Sequence, residues 1–68
     1  MKEIALCNNL KEKRQQKNFS QEDLAKMVGT TRQTIIAIEK QYFNPSTKLA
    51  LLIALALDVK VEDLFYLK

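Results

Sequence analysis

The chain holds no histidine and no tryptophan, and only one cysteine, one glycine and one proline in 68 residues. Without histidine it lacks the commonest metal ligand and a ready general base near neutral pH. There is no glycine-rich phosphate loop and no cluster of metal-ligating residues, and the acids stand at helix starts, where capping explains them. An enzyme, a metal and a cofactor are therefore not expected. Cys7 has no second cysteine to pair with, so no oxidising compartment is implied. With no histidine to activate it, Cys7 reads as a small buried hydrophobe rather than a reactive thiol. The scarcity of glycine and proline argues against a sheet-rich or disordered chain. Two tyrosines and three phenylalanines are too few, and too core-like, to form a stacking platform for single-stranded nucleic acid. The first residues lack a long apolar run and a small-residue cleavage site, so a signal peptide is not expected. The apolar run from Leu49 to Leu57 falls well short of the roughly 20 residues that a bilayer-spanning helix needs. No membrane partner and no small-molecule ligand is evident, and a soluble cytoplasmic protein is the expectation.

What is present is apolar bulk. The chain is 47% hydrophobic, enough for a compact core in one domain covering residues 1–68. A chain this short buries only about 60% of its unfolded surface, so it needs a dense core or a second copy. The net charge is +3. From Ser46 onward three lysines balance three acids, so the excess falls in residues 1–45, with eight basic and five acidic residues. A basic half suits a polyanionic partner, although +3 alone is an ordinary value.

Residues 20–40 organise the chain. Ser20 can cap a helix, with Asp23 reaching back three residues on, a capping box. Leu24, Ala25 and Val28 form a narrow apolar stripe. Gly29 stands where a helix ends in a left-handed residue. Thr31 can cap a second helix, over about Arg32 to Lys40. Ile35 and Ile38 lie on one side of it, and Arg32, Gln33, Ile36, Ala37 and Lys40 on another. Two short helices turned on one glycine make a helix-turn-helix.

The stretch resembles the lambda-repressor/Cro-like family of DNA-binding domains, the XRE family. The resemblance rests on Gln21, Leu24, Ala25, Gly29, Thr31, Gln33, Thr34, Ile35, Ile38 and Glu39, then Asn44, Pro45 and Ser46, and it runs from about Asn9 to Phe65. It implies an all-α, five-helix lambda-repressor-like DNA-binding domain that binds double-stranded DNA as a homodimer. It also implies a partly buried ion pair between Arg14 and Glu39, the alternative being two solvated charges, and a phosphate contact at Gln21. Several positions depart from the family. Lys13 replaces a leucine, Lys40-Gln41 an Asn-Gly, Asp58 a glycine, and Lys60 a serine cap.

Read in order, residues 1–8 alternate loosely. They either fray or form a short strand, and the strand is favoured because the C-terminal residues Leu64 to Lys68 are β-compatible and could pair with it as a two-stranded ribbon. Asn9 is the expected cap of the first helix, with Glu12 at the box position. Asn18 ends that helix, since asparagine tolerates the left-handed conformation, and Phe19 is expected to staple onto Leu24.

In the major groove, Arg32 can pair with guanine and Gln33 with adenine, each bidentate. Ile36 and Ala37 are placed to meet a thymine methyl, with intramolecular packing equally open for Ile36. Thr31, Lys40, Gln41, Tyr42 and Asn44 flank the helix as candidate phosphate contacts, which position a protein without reading sequence. The Lys40-Gln41 loop, lacking glycine, is expected either to extend the helix or to turn through a strained conformation. Of Tyr42 and Phe43, one is expected to pack inward. Ser46 caps a fourth helix whose stripe is read as Leu49, Ala50, Ile53 and Ala56. Leu52 and Leu55 are surplus to it. With Phe65, Tyr66 and Leu67 they form a candidate dimer interface, unless the chain's own termini shield them. Val59, Val61 and Leu64 are candidate core.

Two functions are weighed. The first is a sequence-specific transcriptional regulator, a repressor acting on a palindromic operator. The alternative is a protein-interaction module, an antitoxin or anti-repressor subunit, working mainly through the leucine-rich face.

Overall fold

The computed structural model describes residues 3–68. The first two positions of the expected strand segment 1–8 lie outside the described residues. In order, the elements are β1 (Leu6–Asn8), α1 (Leu10–Gln16), α2 (Gln21–Val28), α3 (Arg32–Glu39), α4 (Thr47–Leu57), α5 (Val61–Leu64) and β2 (Phe65–Leu67). The two strands pair antiparallel, Leu6 opposite Leu67, Cys7 opposite Tyr66 and Asn8 opposite Phe65. Ala5 and Lys68 exchange both backbone bonds at 3.0 Å, and Asn9 N–H donates to the Leu64 carbonyl at 2.9 Å. The ribbon therefore ties the two ends of the helical bundle together.

The core is drawn from every helix. Leu10, Leu24, Ile35, Ile38, Ile53, Leu57 and Leu64 are shut off from solvent, with Ala25, Val28 and Ala54 filling between them. Phe19, Val59 and Val61 pack against this cluster from its margin. Within α4 the buried stripe is Ile53, Ala54 and Leu57, a correction to the expected Leu49, Ala50, Ile53 and Ala56, which except for Ile53 are half-buried. An unbroken apolar helix carries no polar face to mark its rotation, so periodicity alone could not fix which stripe turns inward.

The helix starts follow their caps. Ser20 Oγ accepts from Asp23 N–H at 2.9 Å and the Asp23 carboxylate accepts from Ser20 N–H at 2.9 Å, closing the capping box. That carboxyl is held below its usual value, first by the Ser20 backbone N–H and then by the Ser20 hydroxyl. Thr31 and Ser46 cap α3 and α4 in the same way, accepting from Thr34 and Leu49 N–H. Asn9 does not cap α1. Its backbone sits at φ −110°, ψ 27°, outside the extended region a cap needs, because its N–H is held by the ribbon. Asn8 substitutes, its Oδ1 accepting from Leu10 N–H at 3.1 Å.

The helix ends share one solution. Asn18, Gly29, Gln41 and Asp58 all take positive φ, at 61°, 75°, 63° and 56°. After each, the next N–H reaches back to a carbonyl one turn inside the helix, at Arg14, Ala25, Ala37 and Ala54. This is the Schellman closure, usually given to glycine. Only Gly29 adopts it freely. Asn18 and Asp58 are tolerated there, whereas a left-handed glutamine costs on the order of 1 kcal/mol. The turn at Gln41 carries Tyr42 and Phe43 out of the core. Neither packs inward as expected: Tyr42 is 81% exposed and Phe43 is also exposed.

A domain of this size has only about 3–5 kcal/mol of core stability to lose. Leu57→Ala, which empties a fully buried site, is expected to cost about 2–5 kcal/mol. Urea denaturation should therefore find the variant largely unfolded at 25 °C.

Candidate nucleic-acid interface

The geometry of α3 follows from its two faces. Ile35 and Ile38 are buried against α2 and the core, which leaves Arg32 and Gln33 exposed at the N-terminal end of the helix. Ile36 and Ala37 are half-buried one turn on, beside that exposed pair. Thr34, which the sequence marked as a family match but not as a site residue, stands half-buried between them with its hydroxyl 3.1 Å from that of Thr31. Of the two threonines at the mouth of the helix, only Thr31 was expected to act as a cap. Lys40, Gln41, Tyr42 and Asn44 are exposed along the loop that follows.

The angle of α3 is fixed by a buried ion pair. Arg14 is only 7% exposed. Its Nε donates to Glu39 Oε2 at 2.7 Å and its Nη2 to Glu39 Oε1 at 3.2 Å, a two-pronged contact. Its Nη1 donates to the Phe19 carbonyl at 2.9 Å. Gln21 Nε2 completes the set by donating to Glu39 Oε1 at 3.1 Å. One carboxylate at the end of α3 is thus gripped by α1 and by the first residue of α2. The cluster leaves no buried side-chain polar atom without a partner among the described residues. In this arrangement Gln21 serves the ion pair with one amide hydrogen, and Gln41 turns its amide toward β1, donating to the Leu6 carbonyl at 3.1 Å.

A second surface lies apart from α3. A groove of about 280 Å³ opens between the ribbon, the start of α4 and α5, lined by Leu6, Pro45, Thr47, Ala50, Leu51, Val61 and Phe65. Exposed apolar side chains stand on the same elements: Leu51, Leu55 at 77% and Leu67 at 69%, with Tyr66 partly exposed. Leu52 is not surplus as expected, since it packs half-buried against the core. Leu51 is the exposed residue that the sequence reading missed. Cys7 is half-buried, less enclosed than expected, beside the Gln41 amide. No group of histidine, cysteine, aspartate or glutamate among the described residues could hold a metal. No helix among them is long and apolar enough to cross a membrane.

A helix-turn-helix with a buried arginine–glutamate lock and a free polar end on its second helix is the architecture that the sequence resemblance implied. The helix-turn-helix family model matches residues 10–64. The chain belongs to the XRE-type helix-turn-helix family. Its relatives agree. It is 57% identical over 58 residues to an uncharacterised HTH-type transcriptional regulator, MJ0272, of Methanocaldococcus jannaschii, covering 85% of this chain and 88% of that protein. It is 49% identical over 61 residues to the uncharacterised HTH-type regulator YgzD of Bacillus subtilis, covering 90% and 92%. Among solved structures, the restriction-modification controller protein C.AhdI of Aeromonas hydrophila superposes with a TM-score of 0.75 at 35% identity, covering 79% of this chain and 82% of that one. Family and fold are those of DNA-binding transcriptional regulators.

The lock gives a direct test. Glu39→Gln leaves the Arg14 guanidinium buried without its counter-charge, which is expected to cost about 3–5 kcal/mol. Replacing both partners by leucine or methionine should restore most of that loss in thermal unfolding, because two desolvated charges are removed together.

Proposed function

We propose that the protein is a sequence-specific regulator that binds a two-fold symmetric operator as a homodimer and represses by occupying a promoter. The observation that carries this reading is the division of α3. Its apolar side is locked into the core by Ile35, Ile38 and the Arg14–Glu39 pair, and its remaining side, led by Arg32 and Gln33, has no partner within the described residues. Arg32 suits the O6 and N7 of guanine and Gln33 the N6 and N7 of adenine. Ile36 and Ala37 supply apolar surface beside them for a thymine methyl. Thr31, Lys40, Tyr42 and Asn44 hold the phosphates on either side, joined by Gln21 through its second amide hydrogen. These contacts set register and carry no sequence information.

The dimer face in this reading is the groove and its rim: Leu51, Leu55, Phe65, Tyr66 and Leu67, with Leu52 at the edge. A chain of this size rarely leaves such an apolar surface wet. The same face keeps the interaction-module reading alive, as an antitoxin or anti-repressor subunit, and the two diverge over which residues matter.

Selection from a pool of random duplexes at about 0.15 M salt, where weak non-specific binding is suppressed, decides between them. The expected product is a two-fold symmetric site with half-sites about 34 Å apart. Arg32→Ala should cost about 1–3 kcal/mol and relax the preference at one position in each half-site. Leu51→Lys combined with Leu55→Lys should give a monomer in sedimentation. Failure of the folded parent to enrich any site contradicts the regulator reading. Loss of function in the leucine variant alone, with Arg32→Ala silent, favours the interaction module.

A further inference from the structure

The end of α3 is tied to the terminal ribbon at two points. Asn8 Nδ2 donates to the Ile38 carbonyl at 3.0 Å, while its Oδ1 accepts from Leu10 N–H, so one side chain spans β1, α1 and α3. Two residues past α3, Gln41 Nε2 donates to the Leu6 carbonyl. That carbonyl lies on the outer edge of β1. The inward bonding positions of the ladder are Ala5 and Asn9, and with them Cys7, so Leu6 turns away from β2. Gln41 thus covers an edge acceptor, and it does so from a left-handed backbone. Glycine would hold that backbone without strain. What glycine could not supply is the bond to the ribbon.

We infer that Gln41 is a positioning residue: its bond to Leu6 fixes the end of α3 against the ribbon, and so fixes the angle between α3 and the groove. The ribbon supplies Leu6 and Phe65 to that groove. It is held to α3 by Asn8 and Gln41. Reading helix and groove therefore belong to one braced body, and in a two-fold dimer the separation and twist of the two α3 helices are set through this brace. The inference rests on the reading of α3 and of the groove given under the proposed function.

Gln41→Gly separates position from stability, since it removes the backbone strain and the tie together. The variant should melt within about 5 °C of the parent. In the free protein, amide hydrogen exchange at Lys40, Gln41 and Tyr42 should quicken about tenfold while α2 keeps its protection. On DNA, the parent should reject an operator whose half-sites are moved apart by one base pair, a rotation of about 34° on a helix of about 10.5 base pairs per turn. In the variant this rejection should weaken about tenfold, with affinity for an isolated half-site unchanged. Unchanged exchange at the end of α3 overturns the inference, and does so even where the parent enriches no symmetric site and the regulator reading has itself failed. A large fall in melting temperature overturns it too, because the tie would then carry the fold. So does an equal loss of affinity on every spacing and on the half-site alone, which would make Gln41 a phosphate contact.

Discussion

Everything that α3 can present depends on one carboxylate. Glu39 stands at the last position of the helix and is gripped by Arg14 from α1 and Gln21 from α2. Arg14 in turn holds the carbonyl of Phe19, where the chain turns from α1 into α2. Three helices are therefore oriented by a single hydrogen-bonded cluster. Its net contribution to stability is small, because both charges are desolvated. Its effect on geometry is large, because planar guanidinium and carboxylate groups meet in only a few ways. A helix packed by Ile35 and Ile38 alone could slide or roll over a smooth apolar surface. The ion pair removes that freedom, and with it the ambiguity over which side of α3 faces outward.

The second constraint is the shortage of glycine. Four helix ends need a left-handed residue, and the chain supplies one glycine. Asn18 and Asp58 meet the need with short polar side chains. Gln41 meets it under strain and uses its amide on the ribbon. The ribbon consequently does more than close the termini: its Leu6 carbonyl and the Asn8 side chain brace the far end of α3. The apolar groove lies along the same ribbon, so the partner surface and the DNA-reading surface proposed above share one frame.

The helix-turn-helix was legible because each of its features is local. The capping box at Ser20 and Asp23, the left-handed Gly29 and the cap at Thr31 all act within a few residues, and each stands where the sequence placed it. The Arg14–Glu39 pair spans 25 positions and was visible only through the family resemblance. The rotation of α4 was not legible, since nine apolar residues give no contrast between faces; hence Ala54 and Leu57 were missed as core and Leu51 as surface. Asn8 and Asn9 were confused for a related reason. Either asparagine can cap, and the choice is made by the Asn9–Leu64 ribbon bond between the chain's two ends. One of Tyr42 and Phe43 was expected to pack inward by its aromatic character, but the left-handed turn at Gln41 points the chain away before either could be buried.

The central claim is that the outward side of α3 is the surface that meets DNA bases. Nuclear magnetic resonance on the labelled protein, titrated with its selected duplex, tests it most directly. The account predicts intermolecular contacts from the Ile36 and Ala37 methyl groups to major-groove base protons or thymine methyls, with the largest amide shifts at Arg32 and Gln33. Shifts gathered instead on Leu51, Leu55 and the ribbon, with α3 silent, would contradict it.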